Sequence, residues 1–109
     1  MSHQILFESV ESAISTIEKG RVYTILIADV KYLLIRIEES FFVFEKNCPH
    51  SGHSLQTAKS NFNNELVCPS HAYRFSLRNG QEAENRCRPL KVKKCFVDSE
   101  NRLVVESLS

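Results

Sequence analysis

The sequence predicts an all-β fold: an antiparallel β-sandwich base with a loop-rich insert and at most a short helix near the N-terminus. Three observations lead there. Short runs of β-branched, aliphatic and aromatic residues, separated by turn signals, crowd both ends of the chain. One segment alone, carrying Val10, Ala13, Ile14 and Ile17, repeats its apolar residues at helical spacing. Between residues 46 and 88 the apolar runs shrink to "ELVC" and "YRFSL" while Asn, Ser, Pro, Gly and His accumulate.

The elements follow in order. Residues 4–8 read as a first strand, and the helical stretch after them is one or two turns long, with Gly20 as its stop signal. "RVYTILIA" and "KYLLIRI" form a hairpin around the Asp29–Val30 break, and "FFVFEK" follows the polar turn "EES" as a third strand. Near the other end, "KVKKCFV", the turn "DSEN" and "RLVVES" predict a second hairpin. The expected division is one domain over 1–109, with the base in 1–45 and 89–109 and the insert at about 46–88.

Length and charge narrow the function. A chain of 109 residues has room for one core. With 14 basic and 13 acidic residues and a net charge of +1, there is no electrostatic footprint for nucleic acid or an anionic membrane. The N-terminus lacks the pattern of a secretory signal, and "YTILIADVKYLLIRI" is interrupted by Asp29, Lys31 and Arg36. A cytoplasmic location is therefore expected, where metal binding is a better use for the four cysteines than disulfides.

The insert holds the chemistry. Cys48-x-His50 is followed, after seventeen residues, by Cys68-x-x-His71, and each cysteine precedes a proline that stiffens its loop. Two loops, each offering a thiolate and an imidazole, suit a soft or borderline metal site. Zinc accepts two Cys and two His, but a Cys and a His as close as Cys48 and His50 chelate one ion awkwardly. A two-iron cluster removes the difficulty, because each loop then sends one side chain to each iron. The Rieske 2Fe–2S centre has this ligand set, two His replacing two Cys on one iron. A zinc-stabilised interaction module remains the alternative.

The surrounding residues sharpen the choice. Cys48, His50, Gly52 and Leu55, then Cys68, Pro69, His71, Phe75 and Gly80, resemble the two cluster loops of the Rieske family, and "RPLKVKKCFV" resembles its return to the base. The resemblance spans about residues 21–108. It implies one 2Fe–2S cluster per chain, held by Cys48, His50, Cys68 and His71, with both histidines at the exposed tip as exit points for the electron. It also implies a ferredoxin, a one-electron carrier and not itself an enzyme. Such a protein relays electrons from a flavin-dependent reductase to a Rieske non-haem iron oxygenase, and is expected to be a monomer on its own. A small subunit of a nitrite reductase-like complex is the other reading. A catalytic oxygenase subunit is not expected, since a mononuclear iron site would need further chain.

Two departures from the family pattern matter, the first for the local backbone, since Ala adopts φ > 0 less cheaply than Gly, and the second for the potential. Ala72 stands where a glycine is common, and His53 and Ser70 stand where respiratory members carry a loop-tying disulfide. High-potential relatives place serine and tyrosine hydroxyls where this chain has Tyr73 and Phe75. Fewer donors to the sulfurs predict a low potential, on the order of −150 mV rather than +300 mV. Elsewhere, His53 reads as solvent-facing, Cys95 as a small apolar strand residue, Cys87 as a free thiol in a polar stretch, and the lysines of "KVKK" as a solvated strand face.

Overall fold

The computed structural model describes residues 3–106. Eleven elements run in the order β1 (His3–Phe7), α1 (Val10–Thr16), β2 (Val22–Ile27), β3 (Val30–Ile37), β4 (Ser40–Glu45), β5 (Lys59–Ser60), β6 (Glu65–Val67), β7 (Arg74–Ser76), β8 (Val92–Lys93), β9 (Cys95–Val97) and β10 (Leu103–Glu106). All pairings are antiparallel, in three sheets ordered β1-β10-β9, β2-β3-β4-β8 and β5-β6-β7.

The middle of the molecule is the β2-β3-β4-β8 sheet, buried on both faces. Leu33, Ile35 and Phe44 point to one side and pack with Leu55, Leu66, Phe75, Leu77 and Leu90 from the segment after β4. Leu34, Phe41 and Val43 point to the other side and pack with Ala13 and Ile17 around α1 and with Leu103 and Val105 of β10. Alternation along β3 and β4 thus feeds two cores from one sheet. Each fully buried Leu, Ile or Phe contributes about 1.5–3 kcal/mol of hydrophobic stabilisation. The edge strand β2 is blunted by side chains: Gln56 Nε2 donates to the Val22 carbonyl at 2.9 Å and Gln4 Nε2 to that of Leu26 at 2.8 Å.

Local chemistry explains the ends of the elements. Ser9 caps α1, its side chain accepting from the Ser12 N–H, with Glu11 in the first turn. The β2–β3 hairpin turns through Ala28 and Asp29, both with positive φ (50° and 65°), as a two-residue turn matched to strand twist demands.

Three details differ from the sequence expectation. α1 ends at Thr16, before Gly20, whose φ of +79° instead serves the turn into β2. The run Lys91–Val97 is not one strand: β8 pairs with β4 while β9 pairs with β10, so the chain changes sheets at Lys94. The loop-rich stretch also contains a small sheet of its own, β5-β6-β7. Ser107, the last residue of the expected final strand, lies outside the described residues.

Candidate metal centre

Two loops, residues 48–53 and 68–73, are built to one plan. In the first, the Cys48 N–H donates to the His53 carbonyl at 2.8 Å and the Gly52 N–H donates back to the Cys48 carbonyl at 2.8 Å. In the second, the Cys68 N–H donates to the Tyr73 carbonyl at 2.9 Å and the Ala72 N–H to the Cys68 carbonyl at 3.0 Å. The fifth residue of each loop sits in the left-handed region, Gly52 at φ +72° and Ala72 at φ +57°. Ala72 therefore takes the glycine conformation despite its methyl group. Asn47 braces the first loop by donating to the Gly52 carbonyl at 2.9 Å.

This geometry sorts the four candidate ligands into two pairs. Cys48 and Cys68 are buried, 2% and 1% exposed, inside the apolar core under the central sheet. Both are free thiols, and they lie in the same buried cluster. His50 and His71 are exposed, their ring centroids 5.2 Å apart and nearly perpendicular. Burial pushes the Cys68 thiol pKa up, as does the adjoining Cys48, while the backbone N–H groups of Ser70 and His71 pull it down. Among the described residues no three Cys, His, Asp or Glu side chains gather tightly enough for one ion. A sulfur pair inside and an imidazole pair outside fit a cluster with two metals better than one tetrahedral zinc.

Other expected residues fall as follows. His53 is exposed, and Ser70 Oγ lies 3.1 Å from His71 Nδ1. Cys95 is half-buried against the α1-side core, and burial pushes its thiol up to about 12. Cys87 is also free, but it packs against the core that contains Cys48, and burial raises its pKa as well.

The sequence does not single out Glu82 or Arg86, nor the ring contact that Tyr73 makes. Tyr73 stacks on His50 with centroids 3.8 Å apart and planes 16° from parallel, and the Arg86 guanidinium lies 3.7 Å from the Tyr73 centroid. Arg86 in turn pairs with the fully buried Glu82, Nη2 to Oε2 at 2.7 Å. The "EAENR" spacing of opposite charges four apart was the available signal.

An all-β domain with two matched Cys–His loops has the donor set of a metal–sulfur protein. The comparisons make this specific. The sequence profile of the Rieske [2Fe-2S] domain matches residues 9–96, so the chain belongs to the Rieske family, whose domains bind a 2Fe–2S cluster. Among solved structures, it is similar to the ferredoxin of carbazole 1,9a-dioxygenase from Nocardioides aromaticivorans IC177, with 17% identity and a TM-score of 0.77 over 99% of this chain and 100% of that one. It is equally similar to a Mycobacterium tuberculosis protein described as an NADH-dependent nitrite reductase small subunit, with 17% identity and a TM-score of 0.78 over 99% and 96%. A chain in a complex of reduced oxygenase and oxidised ferredoxin of carbazole 1,9a-dioxygenase follows at 19% identity and a TM-score of 0.72, over 96% and 93%. At these identities the likeness is one of fold, and the all-β Rieske architecture is as expected. No curated protein sequence matches the chain. Among the described residues, no helix is long and apolar enough to cross a membrane.

Proposed function

We propose that the protein is a one-electron carrier, a Rieske ferredoxin whose 2Fe–2S cluster is held by Cys48 and Cys68 on one iron and His50 and His71 on the other. The observation that carries this reading is the pairing itself: buried thiols and exposed imidazoles on two loops of the same design. The cluster would supply reversible one-electron chemistry. The protein's own part is to exclude water from the sulfur end and to present the histidine end at the surface. Base segments 1–45 and 89–109 would carry an insert of about 46–88, all within one domain.

The working partners are a flavin-dependent reductase as donor and a Rieske non-haem iron oxygenase as acceptor, in the cytoplasm, with the carrier monomeric between encounters. The fold likeness to a dioxygenase ferredoxin supports this choice. The matching likeness to a nitrite reductase small subunit supports a second reading, as an electron-transfer subunit of such a complex.

Metal analysis with EPR of the dithionite-reduced protein tests the proposal. Two irons per chain and a Rieske-type spectrum are expected, whereas one zinc and no signal would establish the zinc module instead. A midpoint near the low end of the range, on the order of −150 mV, follows from the family's serine and tyrosine hydroxyls being displaced or missing at Tyr73 and Phe75, together with the absent loop-tying disulfide. A clearly positive midpoint would refute that assignment. Reduction by a ferredoxin reductase that then sustains oxygenase turnover, but not nitrite reduction, separates the two partner readings.

A further inference from the structure

The stack on His50 has no part in ligation, yet it is the best-anchored feature of the exposed surface around the site. The imidazole of His50 and the guanidinium of Arg86 both lie at contact distance from the Tyr73 ring, at 3.8 and 3.7 Å between centres. Two groups that close cannot share one face of a ring, so they enclose it from opposite sides. Arg86 is fixed in turn by two hydrogen bonds to the Glu82 carboxylate, from Nη2 at 2.7 Å and Nε at 3.2 Å. That carboxylate is fully buried and also accepts the backbone N–H groups of Glu84 and Arg86, at 3.1 and 2.9 Å. The order Glu82, Arg86, Tyr73, His50 therefore runs from an immobile root to an exposed ligand. His71 has no such support among the described residues: its Nδ1 meets Ser70 Oγ and its ring meets only the edge of His50.

We infer that Glu82, Arg86 and Tyr73 form a positioning unit that fixes the plane of His50 and holds a permanent cation beside the histidine end of the cluster, thereby raising its midpoint potential. The inference rests on the ligand assignment proposed above. Its physics is simple. Reduction adds one negative charge to the cluster, and a cation held nearby stabilises the reduced state more than the oxidised one. Arginine suits this role because it stays charged at every accessible pH and stacks on aromatic faces. Glu82 Oε2 at 2.7 Å and the exposed Glu84 Oε2 at 3.8 Å offset this charge in part, but it is the guanidinium that lies on Tyr73 and so faces His50 through the ring. Tyr73 keeps water from the covered face of His50, so the ring cannot rotate without opening the stack.

Four variants of the cluster-loaded protein test this: Arg86→Gln, Arg86→Lys, Tyr73→Phe and Tyr73→Leu, each assayed for iron content, EPR line shape and midpoint potential. Arg86→Gln is expected to weaken the reduction equilibrium about three- to tenfold, a shift of ~30–60 mV to lower potential at 59 mV per tenfold for one electron. Arg86→Lys should keep most of the parent midpoint. Tyr73→Phe, which preserves the stack, should leave midpoint and spectrum unchanged, while Tyr73→Leu should lower the midpoint and broaden the EPR signal. A fully loaded Arg86→Gln protein with the parent midpoint overturns the inference. If that variant does not load iron, equal midpoints and line shapes for Tyr73→Phe and Tyr73→Leu overturn it. A parent protein without a Rieske spectrum overturns the ligand assignment itself, a separate and recognisable failure.

Discussion

The two matched loops set up an internal exchange: Ala72→Gly, Gly52→Ala, and both together. Gly52 and Ala72 occupy equivalent positions at φ +72° and +57°. An L-residue in this region is strained by roughly 1–2 kcal/mol. Replacing alanine by glycine relieves that strain but restores freedom to the unfolded chain, which costs about 0.4–1 kcal/mol. Ala72→Gly should therefore stabilise by roughly 0.5–1 kcal/mol. A Cβ at Gly52 would meet no atom within 4 Å, so Gly52→Ala carries the conformational term alone and should destabilise by a similar amount. The double exchange should return close to the parent. Urea unfolding of the cluster-loaded protein, followed by circular dichroism, reads these differences as midpoint shifts of about 0.3–0.5 M at a typical slope near 2 kcal/mol/M. A midpoint for Ala72→Gly at or below the parent's, with the slope unchanged, refutes the claim that Ala72 is strained.

Three further outcomes follow from the structure. Gly80→Ala should cost about 3 kcal/mol or more and impair folding, because its Cβ would lie 1.8 Å from the Leu90 carbonyl oxygen at a φ of +80°; a native melting curve for that variant contradicts this. Glu82 has its pKa lowered to about 2 from 4.5, chiefly by hydrogen bonding to Arg86. A depressed carboxyl contributes its stability in full above about pH 4.5, and that stability fades as the pH falls toward 2. Acid titration of Glu82→Gln should lack this component, and coincident acid-stability profiles for variant and parent argue against it. Cys95, with its thiol at about 12 through burial, should resist iodoacetamide at pH 8 in the native protein and react on unfolding, as peptide mass mapping would read; native-state labelling of Cys95 at the rate of a free thiol runs against the assigned burial.

The strands β2, β3 and β4 were legible in the sequence because each is long and rich in β-branched or aromatic residues, with polar turns between. The four candidate ligands were legible because the loops carry their spacing in short, proline-stiffened motifs. The change of sheet at Lys94 was not, because nothing in "KVKKCFV" marks it; the neighbours of each half decide it. In the sequence Tyr73 stands out only as the residue in place of a serine hydroxyl, whereas the second loop folds its ring against a histidine twenty-three positions earlier in the chain. Glu82 and Arg86 have the spacing of a surface helix pair, yet they lie outside any helix, with the carboxylate buried.

The segment that carries the site leaves and returns at a single seam. Glu45, the last residue of β4, receives both terminal nitrogens of Arg88, at 2.8 and 2.9 Å, and the Lys91 N–H at 2.7 Å, while its own N–H donates to the Lys91 carbonyl at 2.9 Å. The seam fixes where the stretch leaves the sheet, while Leu55, Leu66, Phe75 and Leu77 anchor its body against Leu33, Ile35 and Phe44. The seam thus acts as a socket. It marks Glu45 and Arg88 as the joint through which the two Cys–His loops are tied to the central sheet.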